Sequence, residues 1–172
     1  MNGEERRMQI LHRLQESDTP QSGTALAKAF HVSRQIIVQD IALMRAENYG
    51  ILSTNKGYIL RSEKTENTQP KRVFFVKHSR QQVLEEFRSV VELGGKILDV
   101  AVEHEIYGQI RVDLLIETED DAVDFNEKIL TCRDNPLNVL TDGCHYHTVS
   151  APSEKLLDLI EADLRSKGLL IE

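Results

Sequence analysis

Histidine and glutamate carry most of the chemistry this 172-residue chain can offer. His145 and His147 stand two apart in CHYHTVS, so on a β-strand both rings face one side. Glu86 follows Val83 by three residues and precedes Val90 by four, on the inward stripe of a helix leaving His78. A carboxylate there is costly unless paired or bound to a cation. Three imidazoles and one carboxylate form a donor set for Zn²⁺, Ni²⁺, Fe²⁺ or Mn²⁺, and the spacing does not choose among them. Cys132 and Cys144 form no CxxC and read as reduced cytosolic thiols. The chain has no Ser/His/Asp order, phosphate loop or HExxH. A metal-dependent hydrolase with Glu86 or Glu103 as base is therefore the weakest of the readings.

The elements that must position these groups follow the order β-α-β-β-α-β. RVFFVKHS (72–79) is a strand. Ser79 and Gln82 make a capping box for a helix with Val83, Leu84, Phe87, Val90 and Val91 inward, stopped at Gly94-Gly95. Lys96–His104 and Gln109–Glu117 form a hairpin joined through residues 105–108. Thr118 and Asp121 cap a helix to about Cys132. His145–Ser150 is the last strand of the set. Pro152 falls in the first turn of a final helix that runs to Lys167 and ends at Gly168.

This is the ferredoxin-like succession of an α+β domain, with an extra C-terminal helix and a short tail strand. Its fourth strand lies antiparallel beside its first. His78, His104, His145 and His147 are then drawn to one sheet edge. Glu85 could exchange roles with Glu86, Cys144 faces the other side of its strand, and His12 and His31 belong to surface or turn.

Residues 1–61 read differently. Met8, Leu11 and Leu14, widened by Ile10, give an amphipathic first helix. Thr24–Phe30 is a second helix, with Thr24 as N-cap. A third runs from Ser33 to about Glu47 and turns Ile37, Ile41 and Met44 inward. Its other face offers Arg34, Gln35, Val38, Gln39 and Ala42, donors and small groups suited to base edges, while Ser33 can donate to a phosphate. Ile51–Thr54 and Tyr58–Leu60 flank Asn55-Lys56-Gly57 as a wing whose Lys56 can reach the backbone.

Residues 1–71 sum to +2 and residues 72–172 to −9, so the chain's net −7 hides a more basic head. Residues 62–71 read as a polar linker between a head, 1–61, and a body, 72–172. The chain has no apolar run long enough for a membrane span and no signal-like start, so it is expected in the cytoplasm.

The head, with Val32-Ser33-Arg34, Ile37, Asp40-Ile41, Met44-Arg45 and Gly57-Tyr58, resembles the winged helix-turn-helix heads of biotin-repressor-type regulators. His31 stands where those have Gly. The body, with H-S-x-x-Q…E at His78, V-E-H-x-I-Y-G-Q-I at Val102 and H-x-H-T-V at His145, resembles the three-histidine (3H) domain. Together they look like the bacterial niacin-responsive repressors of NAD biosynthesis and niacin uptake genes. The resemblance implies a homodimer that binds operator DNA, with nicotinic acid as co-repressor close to a divalent metal. It implies His78, Glu86, His145 and His147 as metal ligands and His104 and Tyr107 as pocket residues, though Glu105 replaces the family's Pro. Nickel and zinc lead the candidate metals. A metal sensor with no organic ligand is the alternative.

Overall fold

The computed structural model describes residues 1–61 and 68–172. Most of the stretch expected as a linker, 62–71, lies outside the described residues, which omit 62–67. The chain falls into two compact units, residues 1–66 and 67–172. Its class is α+β: a winged helix-turn-helix head, then a βαββαβ body with a C-terminal helix.

The head comprises α1 (Gly3–Gln15), α2 (Gly23–Phe30), α3 (Arg34–Ala46) and a hairpin of β1 (Ile51–Thr54) and β2 (Gly57–Leu60). α1 opens with a capping box in which Asn2 accepts from the Glu5 amide and Glu5 accepts from the Asn2 amide. Its inward residues are Ile10, Leu11 and Leu14, and Met8, expected inward, is exposed. The roll of α1 is set by Arg6 and Arg7, which approach the buried carboxylate of Asp40 on α3 at 2.6 and 3.6 Å.

Ser22, two residues before the expected Thr24, caps α2 by accepting from the Ala25 amide. The cause is a backbone pairing that sequence periodicity does not show. Gln21 and Tyr58 donate to each other's carbonyls at 2.8 and 2.9 Å, which leaves Ser22 extended, the N-cap conformation. Gly57 is required by this approach: its φ is +134°, and a Cβ would collide with the Gln21 carbonyl oxygen. His31 takes the left-handed conformation (φ 54°) expected of the residue in glycine's place. Ile37, Ile41 and Met44 of α3 close on Leu26, Ala27, Ile51 and the α1 stripe to form the core.

The body comprises β3 (Lys71–Lys77), a 3₁₀ turn (Arg80–Gln82), α4 (Val83–Val91), β4 (Lys96–His104), β5 (Gly108–Ile116), α5 (Glu119–Thr131), a second 3₁₀ turn (Leu137–Thr141), β6 (Cys144–Ser150) and α6 (Glu154–Ser166). β5, β4, β6 and β3 lie side by side in that order, each neighbouring pair antiparallel. The fourth strand of the body thus lies beside the first, as the succession requires. Its inner positions are held by the second and fourth strands, whereas a ferredoxin-like sheet puts the first and third inside. This matters for the site, because the strand carrying His145 and His147 runs between the other two strands that serve it.

α6 is capped by Ser153, so Pro152 precedes the helix instead of sitting in its first turn. The tail returns as a bridge, Val76 to Leu170. One sheet face is covered by α4, α5 and α6, with Phe74, Val76, Ile97, Ile116 and Val149 packed on Phe87, Val90, Ala122, Leu157, Ile160 and Leu164.

Arg6→Ala leaves the Asp40 carboxylate buried with only the longer Arg7 contact. It is expected to cost about 2 kcal/mol, as for a buried charged hydrogen bond. The head's unfolding midpoint in urea reads this, and an unchanged midpoint contradicts the assigned role of the pair.

Candidate metal centre and nucleic-acid interface

Two strands and one helix deliver the cluster. The register pairs His147 with Phe74 and His145 with Val76, so both rings project from the covered face of β6 beside the end of β3. His78 follows β3 directly. The Gln82 side chain accepts from the Ser79 amide at 3.0 Å, and α4 begins immediately after. Two turns of α4 bring Val83, Glu86, Phe87 and Val90 inward. Glu85 is exposed, which settles the choice in favour of Glu86.

The Glu86 carboxylate is the hub. Its Oε2 lies 2.6 Å from His78 Nε2 and 3.7 Å from His145 Nε2, and its Oε1 lies 3.3 Å from His147 Nε2. The four side chains are 1–5% exposed. The rings pack edge to face, His78 on His145 and His145 on His147. Phe87 supplies an apolar wall against His147.

The far side of each ring fixes its tautomer. Nδ1 of His78, His145 and His147 faces the backbone carbonyl of Ser79, Gly143 and Asp99 respectively. A carbonyl only accepts, so each Nδ1 carries hydrogen and each Nε2 turns its remaining valence toward Glu86. A carboxylate also only accepts. Buried lone pairs aimed at one another require a cation between them, either protons or a metal ion.

The protonation tendencies reflect that tension. Burial opposes the charged form of Glu86, but the three imidazoles outweigh it and hold its carboxyl well below the usual carboxylate range. Burial also opposes charge on His78 and His147, and the hydrogen bond and charge of Glu86 overcome it and push both up. At His145 burial wins and the value falls.

The donor set also fits a metal. Ligand atoms about 2.1 Å from a shared ion stand roughly 3–3.4 Å apart; His147 at 3.3 Å from the carboxylate falls in that range, His145 at 3.7 Å lies just outside it, and His78 at 2.6 Å is at hydrogen-bond distance. The ligand atoms of His78, Glu86 and His145 all lie within 4.8 Å of one another, and His147 meets the same carboxylate from its other oxygen. Outer hydrogen bonds from Nδ1 to carbonyls are the usual device for orienting metal-binding imidazoles.

Two further residues serve the cluster and were not singled out from the sequence. Gly143 has φ +86°, and a Cβ there would stand 2.8 Å from the His78 carbonyl oxygen. Its own carbonyl accepts from the His78 amide and holds His145 Nδ1. The Asp142-Gly143 dipeptide is a turn signal that could have flagged it. Asp99 sits where β4 slips register against both neighbours. The bulge frees its carbonyl for His147 Nδ1, while its buried carboxylate accepts from the Thr148 amide and pairs with Arg111 at 2.8 Å. No sequence signal marks a bulge of this kind.

His104 does not join the cluster. Its Nδ1 accepts from the Ile106 and Tyr107 amides, and its ring lies 4.9 Å from that of Tyr107, so it braces its own hairpin turn. Tyr107 is exposed. Cys144 is half-buried and Glu103 is exposed, hydrogen-bonded to Gln109. In the head, Ser33, Arg34, Gln35, Val38 and Gln39 all lie on the exposed side of α3, and Lys56 is exposed at the wing tip. Ser33 caps α3 by accepting from the Ile36 amide, which leaves its hydroxyl hydrogen able to donate. Among the described residues no helix is long and apolar enough to cross a membrane.

Gly143→Ala is expected to displace His78 or His145 and weaken metal uptake at least tenfold in a calorimetric titration; an unchanged affinity contradicts the close approach described. Because His78 and His147 hold their protons above the ordinary histidine value, a metal must displace them. Affinity is therefore expected to climb as pH rises past the ordinary histidine range, and a flat profile contradicts the raised proton affinity of the two rings.

Comparison with known proteins agrees with this division of labour. Residues 6–59 match the model of a helix-turn-helix domain and residues 71–172 that of the 3H domain. The chain is 40% identical over 169 residues to the probable transcription repressor NiaR of Thermotoga maritima, covering 98% of this chain and 95% of the relative. It is 36% identical over 171 residues to the transcription repressor NadR of Bacillus subtilis, covering 99% and 95%. These relatives are repressors and not enzymes, which removes the hydrolase reading. The chain belongs to the 3H-domain family of helix-turn-helix transcription repressors.

Proposed function

We propose that the chain is a ligand-controlled repressor of NAD biosynthesis and niacin uptake genes, with nicotinic acid as co-repressor held close to a divalent metal in the body. The observation that carries this reading is one exposed donor face on α3 joined, in a single chain, to a buried three-imidazole, one-carboxylate cluster. The working division is a DNA-binding head at 1–61, a linker at 62–71 and a regulatory body at 72–172, acting as a homodimer in the cytoplasm. His78, Glu86, His145 and His147 would hold the metal, nickel or zinc by preference. When bound, it supplies a fixed positive charge that a carboxylate can approach.

Space for the ligand exists beside the cluster. A cleft of about 570 Å³ is lined by Lys77, His78, Arg80, Gln82, Asn138 and Gly143. Lys77 is offset by Asp142 at 3.6 Å, so Arg80 carries the charge that would attract a pyridine carboxylate. In the head, Arg34 and Gln39 can pair with guanine and adenine edges, Gln35 and Val38 extend that face, and Ser33 and Lys56 suit phosphates. A dimer presents two such faces to half-sites one helical turn or a multiple apart. Nicotinic acid would act by binding one arrangement of the two heads more tightly than the other, and operator would strengthen ligand binding by the same factor.

One observation favours a second reading. The four cluster side chains are almost closed to solvent, as in sites whose metal is itself the signal or staple. Titrating metal without ligand, then ligand at saturating metal, separates a metal sensor from a niacin sensor.

Nicotinic acid is expected to tighten binding to a candidate operator in a gel shift with metal-loaded protein, and no change in affinity ends this version. His145→Ala with His147→Ala should abolish that response and metal uptake while the head stays folded. Arg34→Ala and Gln39→Ala should each weaken specific binding by roughly 1–3 kcal/mol. Equal losses on specific and non-specific DNA would reassign them to phosphates.

A further inference from the structure

We infer that the ligand cleft is completed by a second copy of the chain: the β4–β5 hairpin tip of one protomer docks on the cleft rim of its partner and lays Tyr107 over it. The inference rests on the proposed homodimer and on the proposed ligand site.

Ile106 and Tyr107, at 79% and 75% exposure, are the most exposed large hydrophobic residues among those described. Their turn is nonetheless built to be rigid. His104 Nδ1 accepts both their amides, its ring lies against Tyr107, and Gly108 closes the turn at φ +70°. A stiff loop that presents two large apolar side chains to water is costly when alone and suits an interface anchor.

The strand registers put this tip and the cleft at the same end of the sheet. Lys77 pairs with Cys144, Ala101 with Tyr146, and His104 with Gly108. The cleft is lined there by Val139, which is exposed together with its neighbour Leu140.

Charge matches as well as shape. Glu103 and Glu105, both exposed, flank the tip. Lys77 and Arg80 line the cleft, and because Asp142 stands 3.6 Å from Lys77, the surplus positive charge rests on Arg80. An acidic, apolar tip thus meets a basic, apolar rim. With both on one end of the same body, a two-fold axis through that end makes two identical tip-in-cleft contacts, a closed isologous dimer.

The test uses the full, metal-loaded chain. Tyr107→p-benzoylphenylalanine is irradiated in a mixture of isotope-labelled and unlabelled protein, and cross-linked peptides are mapped by mass spectrometry. Mixed-label adducts to residues 77–82 or 136–143 are expected. Adducts within one chain only, adducts elsewhere, or none overturn the docking.

Complementation then tests the shared site. Tyr107→Ala and Arg80→Glu should each bind nicotinic acid at least tenfold more weakly. Mixing them should restore tight binding to about one site per four chains, because half of the dimers would carry one intact tip-and-cleft pair. No restoration overturns the shared site. Wild-type protein that cross-links as expected and binds no nicotinic acid overturns the niacin reading and upholds the docking.

Discussion

One buried carboxylate facing three imidazole nitrogens is the constraint around which the body is arranged. Removing such a group from water costs several kcal/mol unless its surroundings repay it. Here the repayment is geometric. Each ring is tied by its outer nitrogen to a backbone carbonyl, which turns its inner nitrogen toward Glu86. The cluster therefore has no neutral resting arrangement in which every group is satisfied by the protein alone. It must hold protons or a metal, and that dependence makes it a candidate sensor instead of a packing detail.

The fold serves this constraint at several levels. β6, with its two histidines, occupies an inner place between β3 and β4. β3 delivers His78 at its end, and the β4 bulge delivers the Asp99 carbonyl. The 3₁₀ turn before β6 ends in Asp142 and Gly143, both at positive φ, and that turn lets one glycine carbonyl serve His78 and His145 together. The head solves a different problem. Asp40 fixes α1 against α3 through Arg6, and the Gln21–Tyr58 pairing fixes the wing root against α2. Both leave the outer face of α3 free of structural duty.

Much of this was legible in residue order. Period-2 alternation places His145 and His147 on one face, and period-3.6 spacing places Glu86 inward. Those two rules are enough to foresee the cluster once the βαββαβ succession is recognised. Strand order was not legible, because the pattern of elements does not say which strands lie inside. His104 shows the same limit: being carried to the right sheet edge does not decide where a ring turns, and its own turn offered two amides to accept. Asp99 and Gly143 act through their carbonyls, to which side-chain patterns are blind. Met8 and Thr24 were misplaced for a related reason, since a distant ion pair and a distant backbone pairing set the roll of α1 and the start of α2.

Whether the Glu86 cluster holds a metal ion decides the reading of the body. Elemental analysis of the full chain, purified without chelator and then titrated with nickel or zinc, addresses it most directly. About one tightly held divalent ion per chain is expected. A protein that is metal-free as isolated and takes up neither ion would contradict it.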